Sequence, residues 1–289
     1  MGLSGKKKLP LLPTKLNKIR YINRMIMKKV KNMCHRTILN IVLSTLLILF
    51  TLTSCKEDKP VDTPLPGETP VMLEAVLNPY YNGEPLELDQ VVETPQGYPI
   101  RVREVKFFMT MLTNNEKTMV QSAKLDWASD GLSIFHVPGD PNDFTSIHGF
   151  LGVIEEWNHR DPVSFEDTDP LYLTNANDMH WSWNPGYIFV KIEGSHDTIP
   201  GSTVFPFNYS FHLGMNQHRK EFNWENIQWT KVNEKLYRMS LKVDLYEFFD
   251  GPGGVIDLKT EYVTHSMPDS EALTNKAMVN FYNAMYVNQ

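Results

Sequence analysis

The sequence predicts a mainly β protein: a single β-sandwich of the immunoglobulin-like kind, closed by one C-terminal helix. Three observations carry this. Between residues 71 and 263 short β-prone runs recur at intervals, separated by Gly, Pro, Asn and Asp turns, the pattern of a two-sheet all-β domain. Several runs place apolar residues at every second position, as a pleated strand with a buried face requires. The 219 residues from Val71 to Gln289 hold no internal repeat and no second linker, a length that suits one large β domain.

Taken in order, residues 71–77 form a first apolar strand. Residues 100–112 alternate, with Val105, Phe107, Met109 and Met111 on one face and Phe108, Thr110 and Leu112 on the other. Residues 132–136 make a short strand. Residues 144–153 fit either period, and Gly149 and Gly152 favour a strand over a helix. Strands are also expected at 186–193, 204–213 and 236–248, the last with Met239, Leu241, Val243 and Leu245 in alternation. A loop at Gly251, Pro252, Gly253 and Gly254 leads into a strand at 255–263. The helix spans 269–285: Asp269 caps it after Pro268, and Ala272, Leu273, Ala277, Phe281, Ala284 and Met285 share a stripe.

The first 54 residues read as an address. A basic stretch from Lys6 to Arg36 precedes an apolar run at 38–52, which ends in Leu52, Thr53, Ser54 and Cys55. The run is shorter than the roughly 20 apolar residues of a membrane span, and its flanks are those of a secretory signal. The ending resembles the bacterial lipobox, which implies acylation of Cys55 and anchoring in a membrane. Met25, Met27 and Met33 are alternative starts. Lys56, Glu57 and Asp58 resemble the surface-export signal of Bacteroidetes lipoproteins, so an outer-membrane lipoprotein is expected, on the cell surface or the periplasmic face. Residues 55–70, with four prolines, form a stiff solvated tether, and residues 71–289 form the folded domain.

Eleven of the 28 Lys and Arg residues precede Cys55 and no Asp or Glu does, which leaves 17 basic against 34 acidic residues and a net charge near −17. That surface repels nucleic acid and weakly concentrates cations. The only cysteines are Cys34 and Cys55, so the domain beyond Cys55 has neither disulfides nor thiolate metal sites. Hydrolase elbows, phosphate loops and His-Glu-x-x-His are missing; the chain is not expected to be an enzyme.

Two segments stand out. Residues 178–187 read DMHWSWNPGY, placing His180 between Met179 and the pair Trp181 and Trp183. Residues 205–215 read FPFNYSFHLGM, with Phe205, Phe207, Tyr209 and Phe211 on one face and His212 on the other. Imidazole suits copper and zinc, and thioethers at Met179 and Met215 would favour Cu(I). The alternative is that each His bonds a backbone group and each Trp fills the core. His265 is the best third ligand, ahead of His136 and His148, whereas His159, His196 and His218 sit in polar segments and are expected to be solvated. Exposed Trp181, Trp183, Trp224 and Trp229 stacking on sugar rings would make a glycan-binding surface protein instead.

The motif around His180, the strand at 189–194 reading FVKIEG, and the FHLG of residues 211–214 resemble the MbnP-like copper-binding proteins, as does FLGV at 150–153 with the later Asn158. The resemblance implies an exported β-rich protein for copper uptake, storage or handling. It implies Cu(I) held by His180 and His212. It also implies oxidation of Trp181 or Trp183 to kynurenine by a dihaem cytochrome partner related to peroxidases. In one form of the family pattern the oxidised Trp precedes the ligand His by two residues; here that position is Asp178.

Overall fold

The computed structural model describes residues 70–115, 117–129, 132–181 and 186–287. The expected signal, Cys55 and Trp183 lie outside them. Among the described residues no helix is long and apolar enough to cross a membrane.

The strands are β1 (Met72–Tyr81), β2 (Glu84–Pro85), β3 (Val91–Glu93), β4 (Pro99–Asn114), β5 (Lys117–Asp126) and β6 (Ser133–Pro138). They continue with β7 (Ser146–Leu151), β8 (Ile188–His196), β9 (Phe207–Gly214), β10 (Lys220–Glu225) and β11 (Thr230–Asn233). The last are β12 (Leu236–Asp244), β13 (Asp250–Gly251), β14 (Gly254–Val255), β15 (Val263–Thr264) and β16 (Met285–Val287). Among the described residues the helices α1 (Glu155–Asn158), α2 (Leu173–Ala176), α3 (Leu245–Phe249) and α4 (Glu271–Ala284) join them.

The protein is mainly β and sandwich-like, with curled sheets and the expected C-terminal helix. One sheet runs β11-β12-β1-β2, with β16 on β12 and β6 on β1; the other runs β10-β7-β4-β8-β9-β15, with β3 and β5 on β4. Strand β1 alternates, burying Leu73, Ala75 and Leu77, and it pairs in parallel with β12, 164 residues later in register. Strand β4 is long enough to pair with β3, β5, β7 and β8 in turn. Its register shifts where Met111 takes a positive φ of 55°, as a bulge that bends the sheet does.

Helix α4 closes the core. Phe281 meets Phe107 of β4 edge-on at 5.3 Å and Phe248 of α3 at 6.4 Å, and Phe248 meets Phe211 of β9 at 5.2 Å. Apolar side chains from both sheets and from α4 form one contiguous core, the arrangement that lets a single domain bury two sheet faces.

Three local expectations are corrected. The strand expected over 236–248 stops at Asp244, whose carboxylate accepts from Tyr246 N at 3.0 Å. That cap starts α3, where the spacing of Leu245, Phe248 and Phe249 buries a helical stripe. Between residues 255 and 263 only the ends are extended; Asp257 begins a turn, its carbonyl accepting from Thr260 and Glu261. Ser270, not Asp269, stands at the N-terminus of α4, after a 3-10 turn over Pro268–Ser270.

Candidate metal centre

The sheet built on β4, β8 and β9 has two unlike faces. Register pairs Ile192 with Phe211 and Val190 with Leu213, all buried toward α4. On the other face Lys191 lies opposite His212 and Glu193 opposite Ser210, with Lys106 of β4 opposite Lys191. Asp178 packs on this second face through Lys106 and Lys191 and Tyr187 through Phe108, and β8 is buried along nearly its whole length.

Charge dominates the covered face. Lys191 bonds Asp178 and Glu104, the latter at 2.7 Å, and stands 3.7 Å from Glu193. Lys106 bonds Glu104 and Asp178 and lies 3.6 Å from Asp126. Four carboxylates thus surround two ammonium groups, an anionic excess that favours a cation. Burial would raise the Asp178 carboxyl, but the hydrogen bonds from Lys191 and Lys106 outweigh it and hold it at about 2. The hydrogen bond from His212 likewise holds Glu193 at about 2, against burial.

His212 is engaged on both ring nitrogens. Its Nε2 donates to Glu193 Oε1 at 2.6 Å, with Ser210 Oγ 3.1 Å away. Its Nδ1 faces His265 Nδ1 at 3.0 Å, ring centroids 4.6 Å apart. The two histidines are 53 residues apart in sequence; β15 brings them together. Val263 and Thr264 pair in parallel with Ser210 and Phe211, so His265 continues the register opposite His212. Ser266 locks the junction, its Oγ accepting from Gly214 N at 2.9 Å and donating to His212 O at 3.0 Å. Two nitrogens on one tetrahedral metal, with bonds of about 2.0–2.1 Å, lie about 3.3 Å apart. The facing Nδ1 atoms are within a few tenths of that separation.

Trp181 packs on the same strand: a side chain at Gly214 would meet its Cη2 and Cζ3 atoms at 2.5 and 2.6 Å, so only glycine leaves room for the ring. Gly214 is two residues beyond His212, on the same face. Trp181 is 5% exposed, which excludes it from an open aromatic platform.

His180 is placed differently. It bridges to Tyr187, and the two rings pack edge-on at 4.9 Å. Burial pulls its imidazole down against the pull of Asp161. Asp178, two residues before it, is tied to the sheet face that carries His212. Among the described residues no hydrogen bond or ring contact joins His180 to His212. Met179 is buried in the core and Met215 takes a φ of +72° after the strand. Among the described residues no group of three or more His, Cys, Asp or Glu side chains is arranged to hold a metal.

Sequence reasoning missed Glu193, because only strand pairing puts it beside His212. His196 and His218 are corrected: both are buried, at 2% and 3% exposure, where β8 and the turn after Gly214 carry them inward. His136 is exposed on β6, and His148 bonds Glu221 at 2.6 Å across β7 and β10.

A pH dependence follows. Burial lowers the imidazoles of His180, His196, His218 and His265 below the ordinary 6.5. Below that pH the unfolded chain binds protons that the folded chain refuses, so stability falls as pH falls. Asp178 and Glu193, depressed from 3.8 and 4.5 to about 2, add stability that is lost on acidification through that lower window. Urea midpoints are expected to be level from pH 8 to 7 and to decline progressively below about 6.5; a level profile down to pH 5 would refute the buried neutral imidazoles.

Comparison with known proteins matches residues 71–268 to the MbnP family. No curated protein matches the chain. A solved structure, MbnP from Methylosinus trichosporium, matches at 14% identity over 71% of this chain and 86% of its own, with a TM-score of 0.45. The family match spans well over half of the 289 residues and covers both histidines of the facing pair, and the chain belongs to the MbnP family.

Proposed function

We propose that the chain is a copper-handling lipoprotein, exported, anchored through Cys55 to the outer membrane, and built to hold Cu(I) between His212 and His265. The observation that carries this is the pair of Nδ1 atoms facing each other at 3.0 Å. Membership in a family associated with copper supports it. The donor set fits a soft ion: imidazole suits copper, no thiolate competes, and the anionic excess around Lys106 and Lys191 favours positive charge. His212 and His265 would hold the ion through these two nitrogens, spread apart from their 3.0 Å hydrogen-bonding distance. His265 is the last residue before the turn at Ser266, which carries a positive φ of 57°.

His180 stands on the same side of the sheet and remains the third donor to test. Trp181, packed on Gly214 of β9, and Trp183 are the candidates for oxidation to kynurenine by a dihaem cytochrome partner. No catalytic role is assigned to the chain.

The glycan-binding alternative relies on exposed tryptophans. Besides the burial of Trp181, Trp224 stacks on Phe222 at 4.1 Å and Trp229 donates to Phe144 O at 2.7 Å. The cleft lined by Phe222, Trp224, Tyr282, Asn283 and Met285 encloses about 120 Å³, well below the roughly 300 Å³ of ordinary small-molecule sites.

Metal analysis and intact mass of protein purified from its native membrane fraction test the proposal. One copper per chain and a lipid mass on Cys55 are expected. Metal-free protein that takes up no Cu(I) against a competing chelator would overturn it.

A further inference from the structure

We infer that Glu193 is the positioning residue of the facing imidazole pair: it takes the Nε2 proton of His212 and so presents that ring's Nδ1 lone pair to the ion. The inference rests on the copper reading for its purpose, but its geometry stands without a metal.

Glu193 Oε1 lies 2.6 Å from His212 Nε2. A carboxylate oxygen and a bare imidazole nitrogen are both acceptors and would repel at that distance, so a proton sits between them. The carboxylate reaches the ring because Glu193 and His212 are diagonal neighbours across β8 and β9, with Lys191 opposite His212 and Ser210 opposite Glu193. Ser210 Oγ holds both members, 3.3 Å from Glu193 Oε1 and 3.1 Å from His212 Nε2. Lys191 at 3.7 Å and its salt bridge to Glu104 fix the carboxylate from behind.

The proton positions follow around the pair. With Nε2–H on His212, its Nδ1 is an acceptor. The facing His265 nitrogen, 3.0 Å away, is then the donor in the metal-free protein. Holding an ion at both Nδ1 atoms would require His265 to carry its proton on Nε2 instead, exchanged by way of solvent, while His212 would keep its tautomer. A carboxylate behind a ligating imidazole raises the basicity of the ring and fixes its orientation.

Nitrogen-15 NMR of the imidazoles in metal-free protein reads the tautomers directly, and Cu(I) titration reads affinity. Wild-type His212 is expected as the Nε2–H form. Glu193→Gln retains an acceptor oxygen and should keep that tautomer. Glu193→Ala should shift the proton toward Nδ1 and weaken Cu(I) binding roughly 10- to 100-fold, with Glu193→Gln falling between. Wild-type His212 protonated on Nδ1 with a bare Nε2, or Glu193→Ala leaving both tautomer and affinity unchanged, would overturn the inference. Should the tautomers agree while wild-type protein binds no copper, the positioning stands and the copper reading fails.

Discussion

His212→Ala is expected to abolish stoichiometric copper binding while leaving the metal-free fold intact. The side chain sits on the polar face of β9 at 16% exposure, so its removal leaves no large apolar cavity. What it removes is the one donor shared by the pair that the structure joins, His212 with His265, and the pair that the motifs implied, His180 with His212. The loss should exceed the roughly 10- to 100-fold that follows removal of an outer-shell partner, because a direct ligand goes. His265→Ala should match it. His180→Ala separates the two donor pairs: retained binding leaves the ion to His212 and His265, and lost binding brings His180 into the set. Chelator competition on the three variants, each checked by circular dichroism, gives the comparison. Undiminished affinity in His212→Ala would remove the site altogether.

Phe281→Ala should cost far more stability than removal of any of the three histidine side chains. Phe281 is fully buried and touches Phe107 and Phe248 through edge-on ring contacts. Truncating a buried phenylalanine costs about 3–5 kcal/mol, since the lost transfer energy is joined by that of the cavity. Domains of this kind have about 5–15 kcal/mol in total, so the change removes from about a fifth of the margin to nearly all of it. The urea midpoint should fall sharply with an unchanged slope. The consequence reaches the metal pair because Phe248, which Phe281 supports, packs on Phe211, the neighbour of His212 in β9. A midpoint close to wild type would contradict the view that α4 closes the core between the sheets.

Elements with a strict period were legible from the residues alone. The alternation over 100–112 became β4, and 144–153 resolved as β7 on the strength of its glycines. Strand β5 was missed because its exposed end carries Lys117, Thr118 and Gln121 and only its pairing with β4 supplies a reason to be extended. The error at 245–249 has the same origin. Leu245 continues the alternation of β12, and only the cap at Asp244 shows where the period changes from two to 3.6.

The residues by themselves determined a mainly β domain with a terminal helix, an acidic surface, a thiol-free interior beyond Cys55, and His212 set opposite a row of aromatics. These follow from composition and short-range periodicity, which survive without tertiary context. Only the fold decided which imidazole His212 faces, that Glu193 backs it, and that Trp181 packs on Gly214. Each of those depends on register between strands far apart in sequence, and register is set by how whole faces bury rather than by any local run of residues.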